Sequence, residues 1–318
     1  MDIKIHDLSV SFITNGQKQN VLKKTNLDLI QGTVTAIIGE SGSGKSVLGA
    51  ALVRLLDPQA VVSGHILYGD TDILSLDEPA LTGIRGKVIS WMAQNPVSAM
   101  DPLQKAGAFV TEILNYRKSF LPDLIKGMGI QQLQRFGLHD AETVFQSYPS
   151  ALSGGMAQRV LTSAMTMEEP EWLIADEPTK GLDALGRRQV YLNLYQLAQK
   201  RKMGMVLITH DLRLAERLSN FIAVMYAGEI VEYAVTGEFF ASPGHPYSRG
   251  LIAAQPDKDM KPIPGDITDL PASESGCSFA PRCLSFCERC REKQKMVEKD
   301  SHFVRCWRYV QENGDTFR

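Results

Sequence analysis

Apolar and polar residues alternate at the start of the chain: Ile3 and Ile5, then Leu8, Val10 and Phe12. A period of two is the signature of a half-buried strand. Asn15-Gly16 predicts a turn after it. Residues 25–30 predict a second strand and Gln31-Gly32 a second turn. The uncharged run Val34-Thr35-Ala36-Ile37-Ile38 has strand length and predicts a strand buried on both faces. Residues 47–53 predict a helix, residues 64–70 a short strand and turn, and residues 88–92 another buried strand. Between 104 and 150 the pattern changes. Ile113, Leu114, Leu121, Leu124 and Ile125 recur at roughly helical spacing, which predicts an inserted helical subdomain. Leu152 opens a further helix. Strands at 172–175 and 205–208 then alternate with helices such as 184–200. That alternation predicts an α/β fold with a parallel sheet.

The pattern fades near Ser242-Pro243-Gly244-His245-Pro246, and residues 256–276 are rich in Pro, Asp, Ser and Gly. This reads as a linker or wrapped loop. No internal repeat is visible. The 318-residue length suits two domains, or one large domain with an appendage. All five cysteines fall between 277 and 306. That clustering points to a local covalent or metal-linked device. The formal net charge of −2 gives no support for nucleic-acid binding. No apolar run approaches the ~18 residues that cross a bilayer, and residues 1–6 lack a signal-peptide core. The chain is therefore expected to stay in the cytosol, where a disulfide framework is out of place. It is expected to reach a membrane only by docking to another protein.

The sharpest chemical signal is Gly39-Glu40-Ser41-Gly42-Ser43-Gly44-Lys45-Ser46, a complete G-x-x-x-x-G-K-S loop between a predicted strand and helix. That context makes it a nucleoside-triphosphate site. Gly39, Gly42 and Gly44 leave room for backbone N–H groups to curl round phosphates, with Ser41 and Ser43 in the same loop. The helix N-terminus adds its positive dipole end. Lys45 reaches the β- and γ-phosphates, and Ser46 ligates Mg²⁺.

A second signal is the apolar strand that ends in Asp176-Glu177. Ligands of open α/β sheets bind at such strand tips. Asp176 suits Mg²⁺, through water, and Glu177 suits a general base that polarises the attacking water. Leu152-Ser153-Gly154-Gly155-Met156-Ala157-Gln158 offers a hydroxyl and free N–H groups at a helix start. On local physics alone this is an ordinary serine cap.

Residues 152–158 resemble the signature sequence of the ATP-binding-cassette ATPases. Other elements of that family occur in its order. Gln94 resembles the Q-loop glutamine, which offers an amide oxygen to Mg²⁺ or the water. Asp183, in Pro178-Thr179-Lys180-Gly181-Leu182-Asp183, resembles the D-loop. His210 resembles the switch histidine, and Phe12 the aromatic that stacks on adenine. The resemblance covers residues 1 to about 250. It implies a P-loop domain, here 1–245, with a RecA-like core, an antiparallel β subdomain and the helical insert. It also implies head-to-tail pairing of two such domains, so that Ser153, Gly154 and Gly155 touch nucleotide held by the partner. Lys180-Gly181 departs from the small or hydroxyl pair more usual in the D-loop.

Gly244-His245-Pro246-Tyr247-Ser248-Arg249-Gly250-Leu251 resembles the element that opens the C-terminal region of the dipeptide, oligopeptide and nickel importer ATPases. Ile263-Pro264-Gly265 and Gly276-Cys277-Ser278-Phe279-Ala280-Pro281-Arg282-Cys283 continue the likeness, making 246–318 the characteristic Cys-rich extension. Cys277, Cys283, Cys290 and Cys306 suit either an iron–sulfur cluster or tetrahedral zinc, and unliganded thiols stay open as a third reading. The resemblance implies [4Fe–4S], with Zn²⁺ as the alternative and Cys287 as an alternative ligand. What the family implies overall is an importer ATPase on the cytoplasmic face of the inner membrane, peripheral to it. Its partners are two transmembrane permease subunits, a second and related ATPase chain, and an extracytoplasmic substrate-binding protein, with no nucleic acid. Dipeptides or oligopeptides are the expected cargo and nickel or a metallophore complex the alternative.

Overall fold

The computed structural model describes residues 1–14, 16–117, 120–199, 203–256, 258–265 and 276–312. The chain separates into two compact units, one comprising Met1, Ile30–Thr33 and Ser75–Leu207, the other Asp2–Leu29, Val34–Leu74 and Ile208–Arg318.

The second unit opens with β1 (Ile3–Thr14) and β2 (Gln17–Leu29), paired antiparallel. Along β1 Ile3, Ile5, Leu8 and Val10 are each fully excluded from water, and an irregularity between Ile5 and Leu8, where Asp7 takes a φ of +47°, brings the two pairs to the buried side. Burying such a side chain stabilises the fold by about 1.5–3 kcal/mol. The predicted strand at 25–30 extends back to Gln17. Its added residues Gln17-Lys18-Gln19-Asn20 are exposed, so they carry no apolar alternation to read. Of the predicted turn, Gly16 has a φ of +76° and Asn15 lies outside the described residues. β4 (Val61–Tyr68) pairs with the other edge of β1, and β5 (Thr71–Asp72) pairs with β4, both antiparallel.

The same unit holds β3 (Val34–Ile38), buried at every position as predicted, and the helix α1 (Lys45–Leu52). β9 (Phe221–Tyr226) runs parallel to β3. Beyond it the direction reverses: β10 (Glu229–Val235), β12 (His302–Val304) and β11 (Val297–Lys299) follow antiparallel. The sheet that holds the expected parallel strands is therefore mixed at this edge. The short turn at Ala227-Gly228 reverses the chain between β9 and β10 without a crossover helix, which only an antiparallel pair permits. Thus the Cys-rich segment adds two strands to the edge at β10. Helices α8 (Leu212–Leu218), α9 (Thr236–Ala241), α10 (Pro246–Ala253) and α11 (Trp307–Glu312) complete the unit.

In the first unit β6 (Ile89–Met92) and β7 (Trp172–Asp176) pair in parallel, and β8 (Gly204–Thr209) lies next to β7. The boundary between the units falls inside β8. Around these strands stand α2 (Glu78–Ile84), α3 (Ala106–Arg117), α4 (Pro122–Arg135), α5 (Ala141–Gln146), α6 (Gly154–Met165) and α7 (Ala184–Ala198). A helical core joins Ala106 and Val110 of α3, Leu133 of α4, Ala141 and Val144 of α5, and Ala157 and Val160 of α6. Of the apolar positions that predicted these helices, Leu114 and Ile125 are buried, whereas Leu121 and Leu124 are exposed. Leu121 caps α4 and Leu124 faces out from its first turn, away from that core. Among the described residues, no helix is long and apolar enough to cross a membrane.

Candidate active site

The phosphate-loop motif lies between β3 and α1, as its strand and helix neighbours require. Gly39, Gly42 and Gly44 all take positive φ, at +152°, +80° and +104°. At Gly39 there is no room for a side chain: a Cβ would stand 2.2 Å from the Met225 carbonyl oxygen. Gly44 caps α1, so the helix starts two residues earlier than its apolar pattern indicates. Lys45 is buried, and its Nζ donates to the carbonyl oxygens of Gly39 and Glu40, both at 2.8 Å. Ser43 is buried and its carbonyl accepts from the Gly228 N–H at 2.9 Å. Ser41, Gly42 and Ser46 are exposed. An exposed serine beside a cradle of left-handed glycines suits an anion and its counter-cation. In the same unit Phe12 is half-buried on β1, and His210 is exposed just past the end of β8.

The first unit carries the other predicted residues. Asp176 ends β7 at 3% exposure and Glu177 follows at 7%. Glu177 sits in the left-handed region at φ +47°. A non-glycine residue is strained there, and such strain collects at functional sites. Met92 of β6 lies opposite Ala175 of β7. The parallel register thus brings Gln94, which is exposed, out at the same strand ends as Asp176 and Glu177. Ser153 caps α6 by accepting the Met156 N–H at 3.3 Å, and Gly154 beside it is exposed. Asp183 caps α7 by accepting the Gly186 N–H at 2.7 Å. Lys180 is exposed in the segment before it, and Gly181 there takes a φ of +72°.

In the second unit Cys277, Cys283, Cys290 and Cys306 line one small cavity with His245, Phe279 and Trp307. Its wall is tied by the Cys277 N–H donating to the Cys290 carbonyl at 2.9 Å and by the Trp307 indole N–H donating to the Cys290 sulfur at 3.3 Å. Cys287 lies 4.0 Å from Cys290, sulfur to sulfur, outside that lining. Burial pushes the Cys277 thiol up to about 12 and raises Cys283 and Cys306 as well. Burial by itself favours the neutral thiol over the thiolate. Among the described residues no group of three or more His, Cys, Asp or Glu side chains is arranged to hold a metal ion.

A set of residues that motif reading passes over surrounds Glu40. Arg282 places its guanidinium on the Glu40 carboxylate through two bonds, at 2.7 and 3.0 Å. The Glu40 N–H donates to the Tyr247 hydroxyl at 2.8 Å. Glu40 occupies an unrestricted position of its motif, and Arg282 lies 242 residues away, so neither carries a local signal. Glu232 is likewise buried, and its carboxylate accepts the N–H groups of Gly244 and His245 at 2.8 and 2.7 Å.

A family model described as ABC transporter matches residues 22–180, and one described as oligopeptide/dipeptide transporter, C-terminal region, matches 231–295. The chain is 34% identical to a dipeptide transport ATP-binding protein of Bacillus subtilis (strain 168), across 96% of this chain and 94% of that one. It is 36% identical to a dipeptide transport ATP-binding protein of Caldanaerobacter subterraneus, across 96% and 97%. Among solved structures, a dimeric ATP-binding cassette in a post-hydrolysis state with ADP and Pi aligns at a TM-score of 0.67 and 25% identity, over 74% of this chain and 98% of that one. With a strand–loop–helix phosphate site, a cassette fold and relatives matched along nearly their whole length, the chain belongs to the ATP-binding-cassette transporter ATPases and carries the C-terminal region of their oligopeptide/dipeptide branch.

Proposed function

We propose that the chain is the ATP-hydrolysing subunit of an importer of dipeptides or oligopeptides, docked on two transmembrane permease subunits at the cytoplasmic face of the membrane. An extracytoplasmic binding protein delivers the cargo, and a second, related ATPase chain completes the pair. The observation that carries this reading is the run of peptide-transport ATP-binding relatives matched along nearly the whole chain. Nothing observed favours nickel. Residues 1–245 form the nucleotide-binding domain and 246–318 the extension.

In this reading ATP lies along residues 39–46 with Phe12 against its base. Lys45 draws charge from the β- and γ-phosphates. Ser46 and Gln94, with Asp176 through water, are oxygen donors of the kind Mg²⁺ takes, and the ion would neutralise phosphate charge. Glu177 accepts a proton from water as the water oxygen bonds to the γ-phosphorus. The bond from that phosphorus to the β,γ-bridging oxygen breaks, leaving ADP and phosphate. His210 steadies the charge that builds on the γ-phosphoryl oxygens. Ser153, Gly154 and Gly155 reach nucleotide held by the partner chain, and Asp183 lies at that seam. The dimeric cassette among the structural relatives supports such pairing.

Cys277, Cys283, Cys290 and Cys306 line one cavity and are the donors that would hold a [4Fe–4S] cluster, or Zn²⁺ as the alternative, only after their side chains turned toward a common point, because the described residues present no set arranged for a metal ion. The cluster would act as a folding staple, cross-linking a segment too short for a large core of its own.

The test is ATP hydrolysis by the chain assembled with its permeases and binding protein, with Glu177→Gln as the blank. Stimulation by short peptides and not by nickel chelates is the expected result. Stimulation by nickel chelates alone would overturn the peptide assignment.

A further inference from the structure

The geometry points to Arg282 and Tyr247 as positioning residues for ATP binding, acting from the C-terminal extension through Glu40 of the phosphate loop. The inference rests on the reading of residues 39–46 as the ATP site.

Glu40 is held at three points. Its carboxylate takes two parallel bonds from Arg282, at 2.7 and 3.0 Å. Its N–H donates to the Tyr247 hydroxyl at 2.8 Å. Its carbonyl accepts from the Lys45 Nζ at 2.8 Å. The first two anchors come from outside the loop and the third is the motif lysine itself. The peptide planes around Glu40 therefore follow where Arg282 and Tyr247 stand, and Lys45 follows those planes.

The anchors have little freedom. The Arg282 side chain is 3% exposed. Its Nε donates to the Pro264 carbonyl at 2.7 Å, and its guanidinium also reaches the Tyr226 hydroxyl at 3.4 Å. Tyr226, Tyr247 and Phe279 are buried against one another with ring centroids 4.6–5.3 Å apart. Arg282 closes the 3₁₀ turn Ala280–Arg282, which lies between Cys277 and Cys283 of the cavity wall. A planar fork on a carboxylate fixes direction as well as distance, which a lysine ammonium does not do. A preorganised loop binds its ligand more tightly because less ordering remains at the moment of binding.

The experiment measures the Kd for Mg²⁺-ATP and the steady-state KM and kcat on the full chain. The variants are Tyr247→Phe, which keeps the ring and removes the hydroxyl, Arg282→Lys, Glu40→Gln, and the Glu40→Gln/Arg282→Lys pair. Each single variant is expected to raise Kd and KM about three- to tenfold with kcat changed less than about twofold, and the pair to be no weaker than its worse member. Unchanged Kd in Tyr247→Phe and Arg282→Lys overturns the inference. So does a fall in melting temperature with the affinity of the folded protein intact, or an additive loss in the pair. ATP binding by the unsubstituted chain tests the loop assignment, so a failure of that assignment is distinguishable from a failure of the clamp.

Discussion

Glu232 and His302 meet at 2.7 Å, with the carboxylate fully buried and the imidazole nearly so. The same carboxylate receives the N–H groups of Gly244 and His245. One side chain on β10 thereby ties the residues that open α10 to a strand of the Cys-rich segment. Glu232→Ala strips three donors of their acceptor. It should cost about 3–5 kcal/mol, read as a shift of the urea midpoint. Glu232→Gln keeps one carbonyl oxygen for these donors and should cost less.

His245 caps α10, its Nδ1 accepting from the Tyr247 N–H at 3.1 Å. Burial pushes its pKa down from 6.5 to about 4, against an opposing pull from Glu232 and with help from Arg305 and Arg249. The unfolded chain then binds a proton that the folded chain refuses between these two values. Stability is full above about pH 6.5, falls as pH drops toward 4 by at most about 1.4 kcal/mol per unit, and levels off below. His245→Asn keeps a cap acceptor without titrating. Urea titrations across pH 4–7 should show a shallower acid loss in that variant.

Gly39 faces the Met225 carbonyl oxygen, which a Cβ would approach to 2.2 Å. Gly39→Ala must move backbone on one side or the other. A cost of about 2–4 kcal/mol is expected, with ATP affinity lost alongside. Thermal unfolding and ATP titration of the same preparation check both.

Glu177→Gln preserves size and removes the base. Turnover should fall about 10²- to 10⁴-fold while ATP binding persists. Lys45→Ala should do the reverse first, weakening ATP binding itself. Single-turnover hydrolysis and equilibrium binding separate the two effects.

Cys283 follows the turn that presents Arg282, its N–H donating to the Ala280 carbonyl at 3.2 Å. Cys283→Ser alters the cavity wall and so disturbs that turn. The Kd for Mg²⁺-ATP should rise by about threefold in the parent chain and stay unchanged in the Glu40→Gln background, because the route to the loop is already cut.

The sequence by itself determined the phosphate loop, the strand ending in Asp176-Glu177, the capped start at Ser153 and the general α/β alternation. Each is written in contiguous residues, because strand burial, glycine backbone freedom and helix capping are decided within a few positions of the chain. Tertiary structure alone decided which apolar residues of the helical insert are core. Leu114 and Leu124 look alike in sequence, yet one is buried and the other is 57% exposed. It also decided the reversal of strand direction beyond β9, set by how the chain turns at Ala227-Gly228. The joining of Arg282 to Glu40 and of Glu232 to His302 was equally out of reach of pattern. Those partners are 242 and 70 residues apart, and such charged pairs are fixed only when folding brings distant segments together and burial makes an unpaired charge costly.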